Sequence, residues 1–136
     1  MSSTHVTGTA PVILSVPAEA ASVSLVRQAV TGIGDMLGMS PAARDDLRIA
    51  VSEAATNVVV HAYPDRPGSM RVEVWPGHEV MVIQVTDHGC GIVPRVKRVT
   101  PGLGLGIQLI AALSDELSIT ANEDGSGTKV GMTFRI

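Results

Sequence analysis

Three polar side chains stand at intervals of four in an otherwise apolar stretch: Glu53, Asn57 and His61 in "VSEAATNVVVHAY", residues 51–63. On a helix turning about 100° per residue they form one stripe roughly 80° wide. An adjoining stripe of similar width holds Leu47, Val51, Ala54, Val58 and Ala62, the pattern of a core face. The polar trio therefore borders the buried face, where side chains can point into a cleft. An asparagine or histidine in that position is commonly a satisfied edge residue. Glu53 is harder to explain so, because a carboxylate among valines and alanines needs water, a partner or a metal.

Two glycine-rich segments add further chemistry. "DHGCGI" (87–92) follows a strand-like run and places Gly89 and Gly91 about one small residue. Glycine permits close backbone approach to a flat ligand, and the Asp87 carboxylate suits the exocyclic amine of a purine. "GLGLGIQLI" (102–110) sets Gly102, Gly104 and Gly106 at the start of a helical pattern, where free N–H groups and the helix dipole favour an anion. There is no G-x-x-x-x-G-K-[ST], so a P-loop is excluded, and "GLGLG" does not fit G-x-G-x-x-G after a strand, so a Rossmann site is not expected. Taken singly, each loop is equally well read as turn-forming glycine.

The elements that must position these groups follow from the chain order. "PVILSVP" (11–17) reads as a strand. Val23, Val26, Val30, Ile33 and Leu37 give residues 18–38 a helical stripe, and Gly38 closes it. Ser40 and Pro41 open a second helix expected over 41–62. "MRVEVW" (70–75) and "EVMVIQVTD" (79–87) form a hairpin. After the glycine-rich loop, residues 107–117 have helical spacing, and 117–123 and 128–136 make a second hairpin. The order β-α-α-β-β-α-β-β predicts an α+β two-layer sandwich. Its sheet is expected to be mixed and mainly antiparallel, covered on one face by three helices. Residues 1–10 are expected to be a flexible N-terminus, with 11–136 forming one domain.

Composition narrows the class. The 136 residues are 45% hydrophobic with a net charge of −3, and aromatics are only 2%. A basic face and stacking aromatics are both lacking, which argues against direct nucleic-acid binding. The single cysteine, Cys90, has no internal disulfide partner, and no Cys/His cluster has zinc spacing. No signal-peptide pattern or membrane-length apolar run is present, so no membrane role is expected and a reducing cytoplasm is the expected location.

The combined order is the specific signal: E-x-x-x-N-x-x-x-H on a helix, D-x-G-x-G after a strand, G-x-G-x-G opening a helix, and "GSGT" before a final strand. It resembles the Bergerat-fold (GHKL) ATPases over roughly residues 12–136. Within them, "EAATNVVVHAY" and "GLGLGIQLIAALSDEL" look most like the bacterial anti-sigma-factor serine kinases. The resemblance implies ATP and Mg²⁺ as cofactors, with Asn57 as metal ligand and Glu53 as the catalytic base or hydroxyl-positioning group. It implies a nucleotide cradle of Asn57, Asp87, Gly89, Gly91, Ile92, Gly102, Leu103, Gly104, Leu105, Gly106 and Thr128, with Asp87 on the adenine amine. His61 would support the groups that touch the ligand or be structural. Residues 92–101 take the place of the family's lid and are short for it; Arg95, Lys97 and Arg98 are available there to the γ-phosphate or a partner, or form a solvated basic loop. Gly106 stands where a bulkier residue is ordinary and can serve packing. The implied partners are an anti-sigma-factor antagonist, a sigma factor and a second copy of the chain. The alternative is a regulatory module that binds ATP and a protein partner without transferring phosphate, although Glu53 argues against it. A histidine-kinase half would need a preceding helix pair with a phosphoacceptor histidine, and chaperone or topoisomerase readings would need a second domain.

Overall fold

The computed structural model describes residues 10–91 and 103–136; the expected loose N-terminus lies almost wholly outside them. Strand β1 spans Val12–Pro17, helix α1 Ala20–Met36, helix α2 Pro41–Asn57, β2 Ser69–Trp75, β3 Val80–Asp87, α3 Leu103–Leu113, β4 Glu116–Thr120 and β5 Thr128–Arg135. The five strands form one sheet in the order β1-β2-β3-β5-β4. All its ladders are antiparallel, so the expected mixed sheet is corrected to a purely antiparallel one. The α+β architecture with three helices is as expected.

Alternation along the strands builds the core. Met70, Val72 and Val74 of β2, Met81, Ile83 and Val85 of β3, and Val130, Met132 and Phe134 of β5 are all buried on one face. The helices meet that face with Val26 and Val30 from α1, Leu47, Val51 and Ala54 from α2, and Ile110 from α3. Burying each of the larger of these side chains contributes about 1.5–3 kcal/mol.

Local chemistry sets the helix ends. Gly38 has φ +85°, and the bonds Gly38 N–H to Asp35 O and Met39 N–H to Gly34 O close α1 with a Schellman motif. Two residues later the Ser40 hydroxyl accepts from the Ala43 N–H at 3.1 Å and Pro41 occupies the first turn of α2. This tight joint folds α2 back along α1. The third helix starts earlier than its spacing predicted and ends at Leu113, because Glu116 and Leu117 are taken by pairing with Thr133 and Met132 of β5.

The second helix departs from the uninterrupted α-helix expected to residue 62. It is α-helical to Asn57 and then widens into a π-helical turn, Val58–Ala62. Three consecutive valines crowd a regular helix. The turn's last carbonyls also find partners outside it: Ala62 O accepts from the Cys90 N–H at 2.9 Å, and His61 O accepts from the Cys90 thiol at 3.2 Å. The core stripe nevertheless holds, since Val58 and Ala62 remain buried with Leu47, Val51 and Ala54. Among the described residues no helix is long and apolar enough to cross a membrane.

Candidate functional site

The polar stripe of α2 faces the first turn of α3. A Cβ built on Gly106 would lie 3.2 Å from Glu53 Oε2, 3.3 Å from Asn57 Oδ1 and 3.4 Å from Asn57 Nδ2. Glu53, Asn57 and the α3 backbone therefore meet at one point, and the absence of a side chain at 106 allows it. Asn57 is only 5% exposed, and its Nδ2 has no hydrogen-bond partner among the described residues. A buried amide of this kind costs about 1–3 kcal/mol unless something binds it. Glu53, one helical turn earlier, is half-buried.

This arrangement fits a hard cation shared with a phosphorylated ligand. An amide oxygen is the kind of donor Mg²⁺ takes, and Mg²⁺ is ordinarily held by one or two protein groups plus phosphates and waters. No group of three or more His, Cys, Asp or Glu that could hold a metal alone occurs among the described residues.

The second half of the site forms at the end of β3. Asp87 pairs in register with Thr128 of β5, which puts the two side chains next to each other, 2% and 1% exposed. The Gly89 N–H donates to Asp87 Oδ1 at 2.9 Å, and the Thr128 backbone also hydrogen-bonds that carboxyl. Burial nonetheless prevails, and the carboxyl's pKa is raised; the two backbone bonds and the nearby His88 oppose the rise. Gly91, at φ +81°, is buried against the Gly127 carbonyl. On the far side the Asn122 amide donates to the Asp87 carbonyl at 2.8 Å, and the Gly127 N–H donates to the Gly89 carbonyl at 3.1 Å.

The π turn joins the two halves. Gly89 sits so close to it that a Cβ there would overlap the Ala62 carbonyl, the same carbonyl that holds Cys90. His61 is half-buried and contributes its backbone carbonyl to this joint. Leu105 is 73% exposed on α3, and Leu103 and Gly104 open that helix. Ile92, Gly102, Arg95, Lys97 and Arg98 lie outside the described residues. Asn122 and Tyr63 were not singled out from sequence; an asparagine two residues before "DGSG" and the tyrosine closing "HAY" were the available signals.

A helix carrying an acid and an amide, facing the glycine start of a second helix and tied to a buried aspartate on a central strand, is a recognisable arrangement. A family model described as the histidine kinase-like ATPase domain matches residues 16–134. The chain belongs to this family. The serine-protein kinase RsbW of Bacillus mycoides (strain KBAB4) is 28% identical over 123 residues, covering 81% of this chain and 77% of its own length. RsbW of Bacillus cereus (strain ATCC 10987 / NRS 248) is 29% identical over the same shares. The crystal structure of the RsbU and RsbW domains of a Mycobacterium tuberculosis protein aligns with a TM-score of 0.72 at 22% identity. That alignment covers 93% of this chain but 32% of the other, so this chain spans about a third of that protein, and the likeness concerns the fold.

Proposed function

We propose that the protein is an Mg·ATP-dependent serine protein kinase of the anti-sigma type. Its substrate would be a serine of an anti-sigma-factor antagonist, and its action would set the availability of a sigma factor. The reading is supported by relatives named serine-protein kinase RsbW. The observation that carries it is the close meeting of Glu53, Asn57 and Gly106, with an unpartnered buried amide among them.

In this reading Asn57 would hold Mg²⁺, which when bound would supply neutralisation of charge on the phosphates. The α3 start, Leu103, Gly104, Leu105 and Gly106, would offer backbone N–H groups to the phosphates, and Gly102 is assigned to the same role. Asp87 accepts from the adenine amine, with Gly89, Gly91, Ile92 and Thr128 about the base. Glu53 takes the proton of the substrate serine as its oxygen bonds to the γ-phosphorus and the bond to the β-phosphate oxygen breaks. The new phosphate, of charge about −1.5 to −2, would weaken a packed interface and release the antagonist, leaving the kinase to hold the sigma factor. The working form would be a cytoplasmic homodimer.

The test is incubation with γ-labelled ATP, Mg²⁺ and candidate antagonists. Label should reach the partner's serine, and Glu53→Ala should abolish transfer while nucleotide still binds. Asn57→Ala should instead remove the Mg²⁺ dependence of nucleotide binding. Tight ATP binding with no label on any candidate would replace this reading with that of a non-transferring regulatory module.

A further inference from the structure

We propose that Tyr63 is a positioning residue for the Asp87 loop, and that its hydroxyl sets how strongly the site prefers a base bearing an exocyclic amine. The inference rests on the reading of Asp87 as the carboxylate that accepts from the base. The β2–β3 ladder ends with the pair Met70 and Asp87. Continuing it one step would place Ser69 against His88. The Tyr63 hydroxyl stands between them instead, donating to Ser69 O at 2.6 Å and accepting from the His88 N–H at 2.9 Å. It thus replaces a direct strand-to-strand bond and parts β3 from β2 immediately after Asp87.

The ring is held in place for this task. It covers Gly68 so closely that a Cβ there would overlap the ring carbons. The Arg66 guanidinium lies 5.8 Å from the ring centroid and donates to His88 O at 3.3 Å. Directed away from β2, the loop brings the Cys90 N–H to the Ala62 carbonyl and the Gly89 N–H to Asp87 Oδ1. The orientation of the Asp87 carboxylate therefore depends on where residues 88–90 sit, and Tyr63 with Arg66 holds their β2 side. Without the hydroxyl, the exposed Ser69 O and His88 N–H pair with water or close on each other, and either way the loop loses the bridge that fixes its distance from β2.

The test is titration of the full chain with Mg²⁺ and either ATP or inosine triphosphate, which lacks the amine, for the unaltered protein, Tyr63→Phe and Arg66→Leu. Tyr63→Phe should lose about tenfold of the ATP preference, the value of one well-placed hydrogen bond. Arg66→Leu, at an exposed position, should move the ratio in the same direction and serves if Tyr63→Phe does not fold. General destabilisation lowers the binding of both nucleotides alike and leaves the ratio unchanged. Amide exchange in the nucleotide-free protein is the second readout: His88, Gly89 and Cys90 should exchange faster in Tyr63→Phe while α1 amides do not change. An unaltered ratio in both variants, or unaltered exchange at those three amides, overturns the proposal. If the unaltered protein does not distinguish the two nucleotides, the Asp87 reading fails, and the exchange data still decide the role of Tyr63.

Discussion

Gly106→Ala adds one methyl group at the point where α3 meets the two polar residues of α2. Two effects on stability oppose each other. Alanine in place of glycine inside a helix is worth about 0.5–1 kcal/mol. Against this, contacts of 3.2–3.4 Å to Glu53 and Asn57 require those groups to give by a few tenths of an ångström. Half-buried Glu53 can swing outward, whereas buried Asn57 has little room, and an off-rotamer side chain costs about 0.5–1.5 kcal/mol. The terms nearly cancel, so urea unfolding should place the variant within about 1 kcal/mol of the unaltered protein. Catalysis has no such compensation. A misplacement of about 1 Å costs roughly 10²-fold in rate, so a few tenths should lower kcat about tenfold, or about 1.4 kcal/mol in the barrier. The assay is the proposed phosphoryl transfer to a candidate antagonist's serine at saturating ATP, read beside the unfolding curve. Undiminished kcat in Gly106→Ala would refute the reasoning, as would a stability loss of several kcal/mol.

Other substitutions separate the parts of the site. Because burial raises the folded-state pKa of Asp87, its contribution to stability is complete below the ordinary value of 3.8 and is lost as pH rises through the raised one. Asp87→Asn should therefore flatten the pH dependence of unfolding across that window and be more stable than the unaltered protein at pH 7, while ATP binding falls; a steeper curve would contradict this. Gly89→Ala places a methyl group into the Ala62 carbonyl, and should cost more than about 2 kcal/mol in chemical denaturation together with nucleotide binding. Ser40→Ala removes the cap of α2 and should cost about 1 kcal/mol in unfolding free energy without altering ATP affinity.

Those parts of the molecule governed by local periodicity were legible in the sequence. The stripe from Leu47 to Ala62 is buried as its spacing predicted, and strand alternation located the core of β2, β3 and β5. Glu53 and Asn57 could be paired because four residues make about one turn. What periodicity could not show depended on distant backbone. The π turn at Val58–Ala62 owes its form partly to Cys90, nearly thirty residues further on. The fully antiparallel sheet follows from where β5 inserts, between β3 and β4, which no local pattern specifies. Asn122 and Tyr63 act through backbone atoms of the Asp87 loop, and such contacts leave little mark on residue type.

The role of Gly106 shows why the sequence left two readings of that glycine open. A phosphate cradle and a packing glycine make the same demand on the residue, the absence of a Cβ. The structure adds that what a Cβ would meet is the carboxylate of Glu53 and the amide of Asn57. Packing at this point is thus packing against the proposed reactive groups, and the two roles are not alternatives. The same holds one turn further on, where the carbonyls of His61 and Ala62 in the π turn hold the Asp87 loop. One helix with its π turn therefore sets both the phosphate end and the base end of the proposed nucleotide site. A rigid shift of α2 would move Glu53 and Asn57 together with the loop that fixes Asp87.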